Sequence, residues 1–251
     1  MKIFIVNLKK HTQRKEKMQS QANKLGLHIE FIEAVYGPEI NDEKLEQIVY
    51  DYPNCKLTKG EIGCALSHLF IYEKILKENI PRALILEDDA IILTDKLFDI
   101  LLEIENIDNE KKPNVFLMNK VESYVKNKKN KKTNSLNIYK AYEASGTHGY
   151  IINKTAAKKL LKELNPIKYE ADMWGIFRFG DFINLNCIVP HVIDTNDENK
   201  SDSFIEKERI LLRKERESYR HKLKKKEPHY QFYRIKNLLS RKFIYKIEII
   251  T

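Results

Sequence analysis

No stretch of this 251-residue sequence holds more than four consecutive apolar residues, which excludes a transmembrane helix of roughly 20. The opening Met1–Asn7 carries one lysine and the short apolar run Ile3–Val6, against the about 7–15 apolar residues of a secretory signal. A cytoplasmic protein is therefore expected. Cysteine is scarce: Cys55, Cys64 and Cys187 are odd in number and widely spaced, fitting neither a disulfide framework nor a zinc pattern. With 8 Gly and 7 Pro the chain is too poor in both for a fibrous protein, and 42% hydrophobic residues make it too apolar for a disordered one. One sizeable globular domain with an appendage remains.

The charge is uneven. Residues 1–205 hold 30 Lys+Arg and 30 Asp+Glu, whereas residues 206–251 hold 15 and 6, so the whole excess of +9 lies in the tail. The chain is accordingly divided into a body, 1–205, and a basic amphipathic helical tail, 206–251. In the tail, Tyr230, Phe232, Tyr233, Ile235, Leu238, Leu239, Phe243 and Ile244 recur among Arg234, Lys236, Arg241 and Lys242. Such a segment suits an anionic membrane surface, or else packs on the body through its apolar side. Nucleic acid is not expected as a partner, because no recognised motif accompanies the basic residues. Lys126–Lys132 reads as a solvated loop, and no internal repeat is present.

The body alternates strand and helix. Ile3–Val6, Ile29–Ile32, Ala83–Leu86, Val115–Met118 and Tyr150–Ile152 read as buried strands. Lys9–Lys24 suits an exposed helix. Thr58 and Glu61 have the spacing of a capping box that opens a helix through Leu76. Lys154–Leu164 is amphipathic and is closed by Asn165-Pro166. This alternation argues for an α/β fold with a mostly parallel sheet.

Four segments could carry chemistry. Glu87-Asp88-Asp89 follows a buried strand directly, where three adjacent carboxylates repel one another. A divalent cation of the magnesium or manganese type would remove that conflict, and ligands of open α/β sheets bind beyond the strands' carboxyl ends. The bland alternative is that these acids cap the next segment and face solvent. Gly60-Glu61-Ile62-Gly63 opens a helix with two glycines, each costing about 1 kcal/mol relative to alanine. That cost makes sense where backbone or ligand approaches closely. Ser67 and His68 lie two turns further, although a single helical histidine is commonly a satisfied structural one. Ser145–Tyr150 is a small-residue turn feeding a strand, and Glu170-Ala171-Asp172-Met173-Trp174 sets a carboxylate beside the single tryptophan.

Taken in order, these segments resemble glycosyltransferase family 25, the bacterial lipooligosaccharide galactosyltransferase group. The resemblance is carried by Val6-Asn7-Leu8 with Arg14, by Gly60–His68, by Glu87–Asp89 and by Gly146–Tyr150. A Pro-Val-Asp segment of the family is kept only in its acid, as Glu170-Ala171-Asp172. The resemblance implies a GT-A-like nucleotide-sugar-binding fold, here with a basic helical C-terminal extension. It further implies a UDP-hexose donor (galactose foremost), a lipooligosaccharide or related glycan acceptor, a divalent metal (Mn2+ or Mg2+) and inversion at the anomeric carbon. On that basis Asp89 is expected to hold the metal, with Asp88 and His191 assisting and Asp194 beside them. Asp172 is expected as the base, with Glu61 or Glu143 as substitutes. Asn7, Leu8, Arg14, Ser67, His68, Glu87, Asp88, Gly146, Thr147 and His148 are expected at the donor. The expected location is the cytoplasm, peripheral on the inner face of the inner membrane. Two other readings use the same residues: a non-enzymatic polyanion-binding protein acting through the tail, and a metal-dependent phosphoesterase.

Overall fold

The computed structural model describes residues 1–132, 137–195 and 204–250. In chain order its elements are β1 (Lys2–Asn7), α1 (Thr12–Lys24), β2 (Glu30–Glu33), α2 (Asp42–Ile48), α3 (Lys59–Lys77), β3 (Arg82–Glu87), β4 (Ala90–Ile92), α4 (Leu97–Ile107) and β5 (Asn114–Leu117). There follow β6 (Ser123–Lys132), β7 (Asn137–Glu143), β8 (Gly149–Asn153), α5 (Lys154–Glu163), α6 (Trp174–Phe179), β9 (Asn184–Val189), β10 (Ile193–Thr195), α7 (Phe204–Lys226), α8 (Tyr230–Leu239) and β11 (Ile247–Ile249). Nine strands form one sheet in the order β11-β6-β7-β9-β5-β8-β3-β1-β2, and β4 pairs with β10 apart from it. By the sense of their pairings β2, β1, β3, β5, β9 and β6 share one direction, and β8, β7 and β11 oppose it. The expected α/β sheet is present: six of its nine strands share one direction, with β8 reversed between β3 and β5.

The apolar runs form strands because both faces of the sheet are covered. Phe4, Val6, Ile85, Tyr150 and Ile152 pack toward α3, α5 and α6, while Ile3, Ile5, Leu84, Leu86 and Ile151 pack toward α1 and α4. Helix starts follow the local chemistry. Thr58 and Glu61 close a reciprocal capping box at the head of α3, and Asn153 caps α5 by accepting from Ala156 N.

The expectation of a close approach near Gly60–Gly63 is met by backbone. A Cβ on Gly63 would lie 2.6 Å from both Gly37 N and Val35 O, and one on Gly37 would lie 1.7 Å from Lys59 O. The first turns of α3 therefore rest directly on the segment Val35–Gly37. Ser67 seals the same contact, donating to Gly63 O (2.7 Å) and accepting from Val35 N (2.9 Å).

One sequence expectation changes. Lys126–Lys132 is not a loop: it continues β6, whose pairing with β7 starts from buried Tyr124, Val125, Ile138 and Ala141 and runs outward through register shifts. The basic tail packs on the body, one of the two readings its sequence left open, and residue 205 falls within α7. Arg216, buried in α7, donates to both oxygens of buried Glu61 (2.7 and 2.9 Å) and lies 3.5 Å from buried Glu170. Arg220 reaches Glu170 at 3.1 Å, Leu223 is buried, and β11 extends the sheet beside β6.

Gly63→Ala should lower stability by about 1–3 kcal/mol through overpacking, where an unobstructed helical site would gain from the same change; chemical denaturation reads the sign. Arg216→Ala should cost about 3–5 kcal/mol by stranding buried carboxylates, and a loss below 1 kcal/mol in the same measurement would contradict the packing described.

Candidate functional site

Strand directions gather the site. β1 and β3 run parallel and end together at Asn7 and Glu87, and β8 begins at Gly149 opposite Leu86 because it runs the other way. The residues just past β1 and β3 and just before β8 therefore meet at one sheet edge. Glu87 N donates to His148 O (3.2 Å), which stitches the turn Gly146–His148 to the acidic triplet.

Each carboxylate of the half-buried triplet has its own set of partners. Asp88 accepts from Asn7 Nδ2 (2.7 Å) and Arg14 Nη1 (3.1 Å), with His11 Nδ1 at 3.7 Å. Asp89 accepts from Arg14 Nη1 through Oδ2 (3.3 Å), while its Oδ1 lies 3.7 Å from His148 Nδ1. Glu87 accepts from Thr147 Oγ1 and lies 3.3 Å from His148 Nδ1 and 3.7 Å from His68 Nε2. His68 is itself fixed by Tyr150, whose hydroxyl lies 2.7 Å from Nδ1 and 2.9 Å from the Tyr72 hydroxyl.

The electrostatics follow. Burial opposes the charge on Glu87, but His148 and His68 override it and hold the carboxyl far below its usual range. Burial likewise opposes a charged His148, but Asp89 and Glu87 raise its pKa to about 10. Asp88 is shifted upward, by burial foremost and by neighbouring Asp89, against the pull of Asn7 and Arg14.

Among the described residues, two groups could converge on one cation: Glu87, Asp89 and His148, and Cys64, His68 and Glu87, each with ligand atoms within 4.8 Å of one another. The first fits magnesium or manganese better, because a thiol is foreign to those ions. In it, Asp89 Oδ1 and His148 Nδ1 are buried and make no hydrogen bond, as atoms reserved for a further ligand would be. His148 would give up its proton to coordinate.

Several expected residues sit elsewhere. His191 belongs to neither group and instead lies 3.9 Å from Asp194, whose side chain is exposed. Asp88 is engaged by Asn7 and Arg14 and belongs to neither group. Ser67 is consumed in packing α3, and Glu61 is committed to Thr58 and Arg216 without an open face. Glu143 ends β7 with its side chain exposed, and Leu8 contributes its carbonyl to His11 N (2.8 Å). Asp172 stays close: its Oδ2 accepts from Gly146 N (3.1 Å), and Trp174 Nε1 donates to Gly146 O (2.9 Å). Gly146 has φ +75°, and a Cβ there would meet the His148 ring at 2.9 Å, so a glycine is required. Sequence reading missed His11 and Tyr72, and it named Tyr150 only as the last residue of the Gly146–Tyr150 motif, without its contact to His68.

Comparison with known proteins gives the family. The model of glycosyltransferase family 25 (LPS biosynthesis protein) matches residues 1–174. A glycosyltransferase 25 family member of Aedes aegypti is 39% identical over 95 residues, covering 35% of this chain and 16% of that protein. Human procollagen galactosyltransferase 2 is 26% identical over 168 residues, 63% of this chain and 27% of its own length. The lipooligosaccharide biosynthesis protein lic2B of Haemophilus influenzae is 27% identical over 163 residues, 62% of this chain and 61% of its own. The chain thus spans about a quarter or less of the first two relatives. With the family model running through β1, α3, the acidic strand end, the Gly146 turn and Asp172, the chain belongs to glycosyltransferase family 25.

Proposed function

We propose that the protein transfers a hexose, galactose foremost, from a UDP-sugar to a lipooligosaccharide or related glycan acceptor with inversion. The observation that carries this reading is the convergence of Glu87, Asp89 and His148 at the strand edge, with Asp172 tied to the same turn. Glu87, Asp89 and His148 would hold a manganese or magnesium ion, which when bound supplies positive charge to the departing diphosphate. Arg14 adds a cationic side chain beside it, exposed and anchored on Asp88 and Asp89. Asp172 takes the proton of the acceptor hydroxyl as its oxygen bonds to the anomeric carbon, and the bond from that carbon to the diphosphate oxygen breaks, releasing UDP. The backbone N–H of Gly146 holds the Asp172 carboxylate in place for this role.

The acceptor's membrane is the second partner in this reading. α8 is amphipathic in a reversed sense: Tyr230 and Tyr233 pack against Phe179, tilted and edge-on, and Lys236 and Asn237 bind Asp181 and Phe179, fixing one side to the body. Phe232, Ile235, Leu238 and Phe243 are each more than half exposed on the other side, among exposed Arg234, Arg241 and Lys242. No helix among the described residues is long and apolar enough to cross a membrane. This supports docking on an anionic bilayer through residues 230–244, at the cytoplasmic face of the inner membrane.

Asp89→Asn should cut UDP release from UDP-galactose plus oligosaccharide acceptor by about 100-fold or more; unchanged, still metal-dependent turnover would reject the assignment. Asp172→Asn should lower kcat by about 10²–10⁴ with little change in the donor's KM, and an unaltered kcat would remove Asp172 as base. Phe232→Glu combined with Phe243→Glu should weaken binding to phosphatidylglycerol vesicles by at least about tenfold, measured by co-sedimentation, and unchanged binding would overturn the docking surface.

A further inference from the structure

A cavity of about 360 Å³ lies where the chain leaves β5 and β9, within the roughly 300–1,000 Å³ range of small-molecule sites. Its apolar wall includes Val121, Ile188 and Ile249, and its polar groups include Lys120, Tyr124 and His191. Sugar rings bind this kind of surface, with C–H faces against apolar side chains and hydroxyls on a few polar groups. Lys120 is exposed and makes no ion pair among the described residues, whereas Glu248, also at the cavity, is neutralised by Lys126 at 3.1 Å.

The cavity is joined to the carboxylate site through backbone. Asn119, which ends the chain's exit from β5, donates through Nδ2 to Ser145 O and Lys120 O (3.1 Å each). Its Oδ1 is buried and makes no hydrogen bond. Ser145 Oγ in turn donates to Glu122. On the β9 side, Ile193, two residues past His191, fills the space beside Gly149, where a Cβ would come within 2.8 Å of it. Along the sheet edge the order is therefore the Asn7–Arg14–Asp89 cluster at β1 and β3, the Gly146 turn holding Asp172 before β8, and then the cavity beyond β5 and β9. A sugar transferase needs the incoming hydroxyl within reach of the base and on the side of the anomeric carbon opposite the leaving group, and this order sets the cavity on the Asp172 side of the cluster.

We propose that this cavity is the glycan acceptor subsite, closed on one side by the C-terminal strand β11. The proposal rests on the transferase reading above and adds where the acceptor sits. It assigns acceptor selection partly to Lys120 and to residues 248–250, all outside the donor cluster, and of these 248–250 lie beyond the stretch matched by the family model. β11 is well placed for the task, because Ile250 N donates to Glu122 O (2.9 Å) and Lys126 N to Lys246 O (2.8 Å), so both ends of the wall are fixed.

The test uses the full chain, with UDP binding followed by calorimetry in manganese and sugar binding by saturation-transfer NMR on the UDP-loaded protein. The sugar probes are lactose and methyl β-N-acetylglucosaminide. The expected result is binding of at least one probe to the native chain and a tenfold or greater loss in Lys120→Ala and in Ile249→Glu, with UDP affinity unchanged in both. Because both side chains lie at the surface, circular dichroism and UDP binding report that each variant is folded. Probe binding unchanged in both variants, or no probe binding to a native chain that binds UDP, would overturn the subsite. Failure of the native chain to bind UDP would instead overturn the transferase reading.

Discussion

Three consecutive carboxylates at the end of a buried strand are the constraint around which the body is organised. Such a triplet is tolerated only if every negative charge is answered, since burial penalises each one and proximity penalises them together. The answers come from three distant parts of the sequence. Asn7, His11 and Arg14 reach Asp88 and Asp89 from β1 and α1, His68 reaches Glu87 from α3, and Thr147 and His148 reach Glu87 and Asp89 from the turn before β8. One electrostatic problem therefore fixes the relative positions of the segments that the family shares. It also leaves Arg14 and His148 already arranged toward negative charge, the arrangement on which the proposed diphosphate binding would draw.

Much of this frame was legible before any coordinates. Unbroken apolar runs such as Ile3–Val6 and Ala83–Leu86 announce strands covered on both faces, and the Thr58–Glu61 pair announces the head of α3. The acidic triplet was legible as a site because its cost in isolation demands a partner. The partners themselves were less so. His148 is named at the donor only through the family resemblance, and its meeting with Glu87 and Asp89 depends on β8 running opposite to β3, a reversal that no local pattern encodes.

The misplacements have a common cause. Ser67 and Glu61 carry reactive groups in or near suggestive motifs, yet each is spoken for by a tertiary partner: Val35 and Arg216 respectively. Residue type and spacing report what a side chain can do, whereas its neighbours across the fold decide what it does. The lysines after Lys126 illustrate the same point for secondary structure. Their composition suggested a solvated loop, but pairing that begins at Tyr124 and Val125 carries the backbone on as a strand.

The partnership of Glu61 with Arg216 spans 155 positions, and this separation has a bearing on biosynthesis. A chain emerging from the ribosome at about 5–20 residues per second presents the head of α3 long before the arginine that neutralises it exists. Until α7 is synthesised, Glu61 and Glu170 must stay hydrated, so the interface beneath α7 is held open during translation. Closure of the body over these two acids is thereby tied to the synthesis of α7.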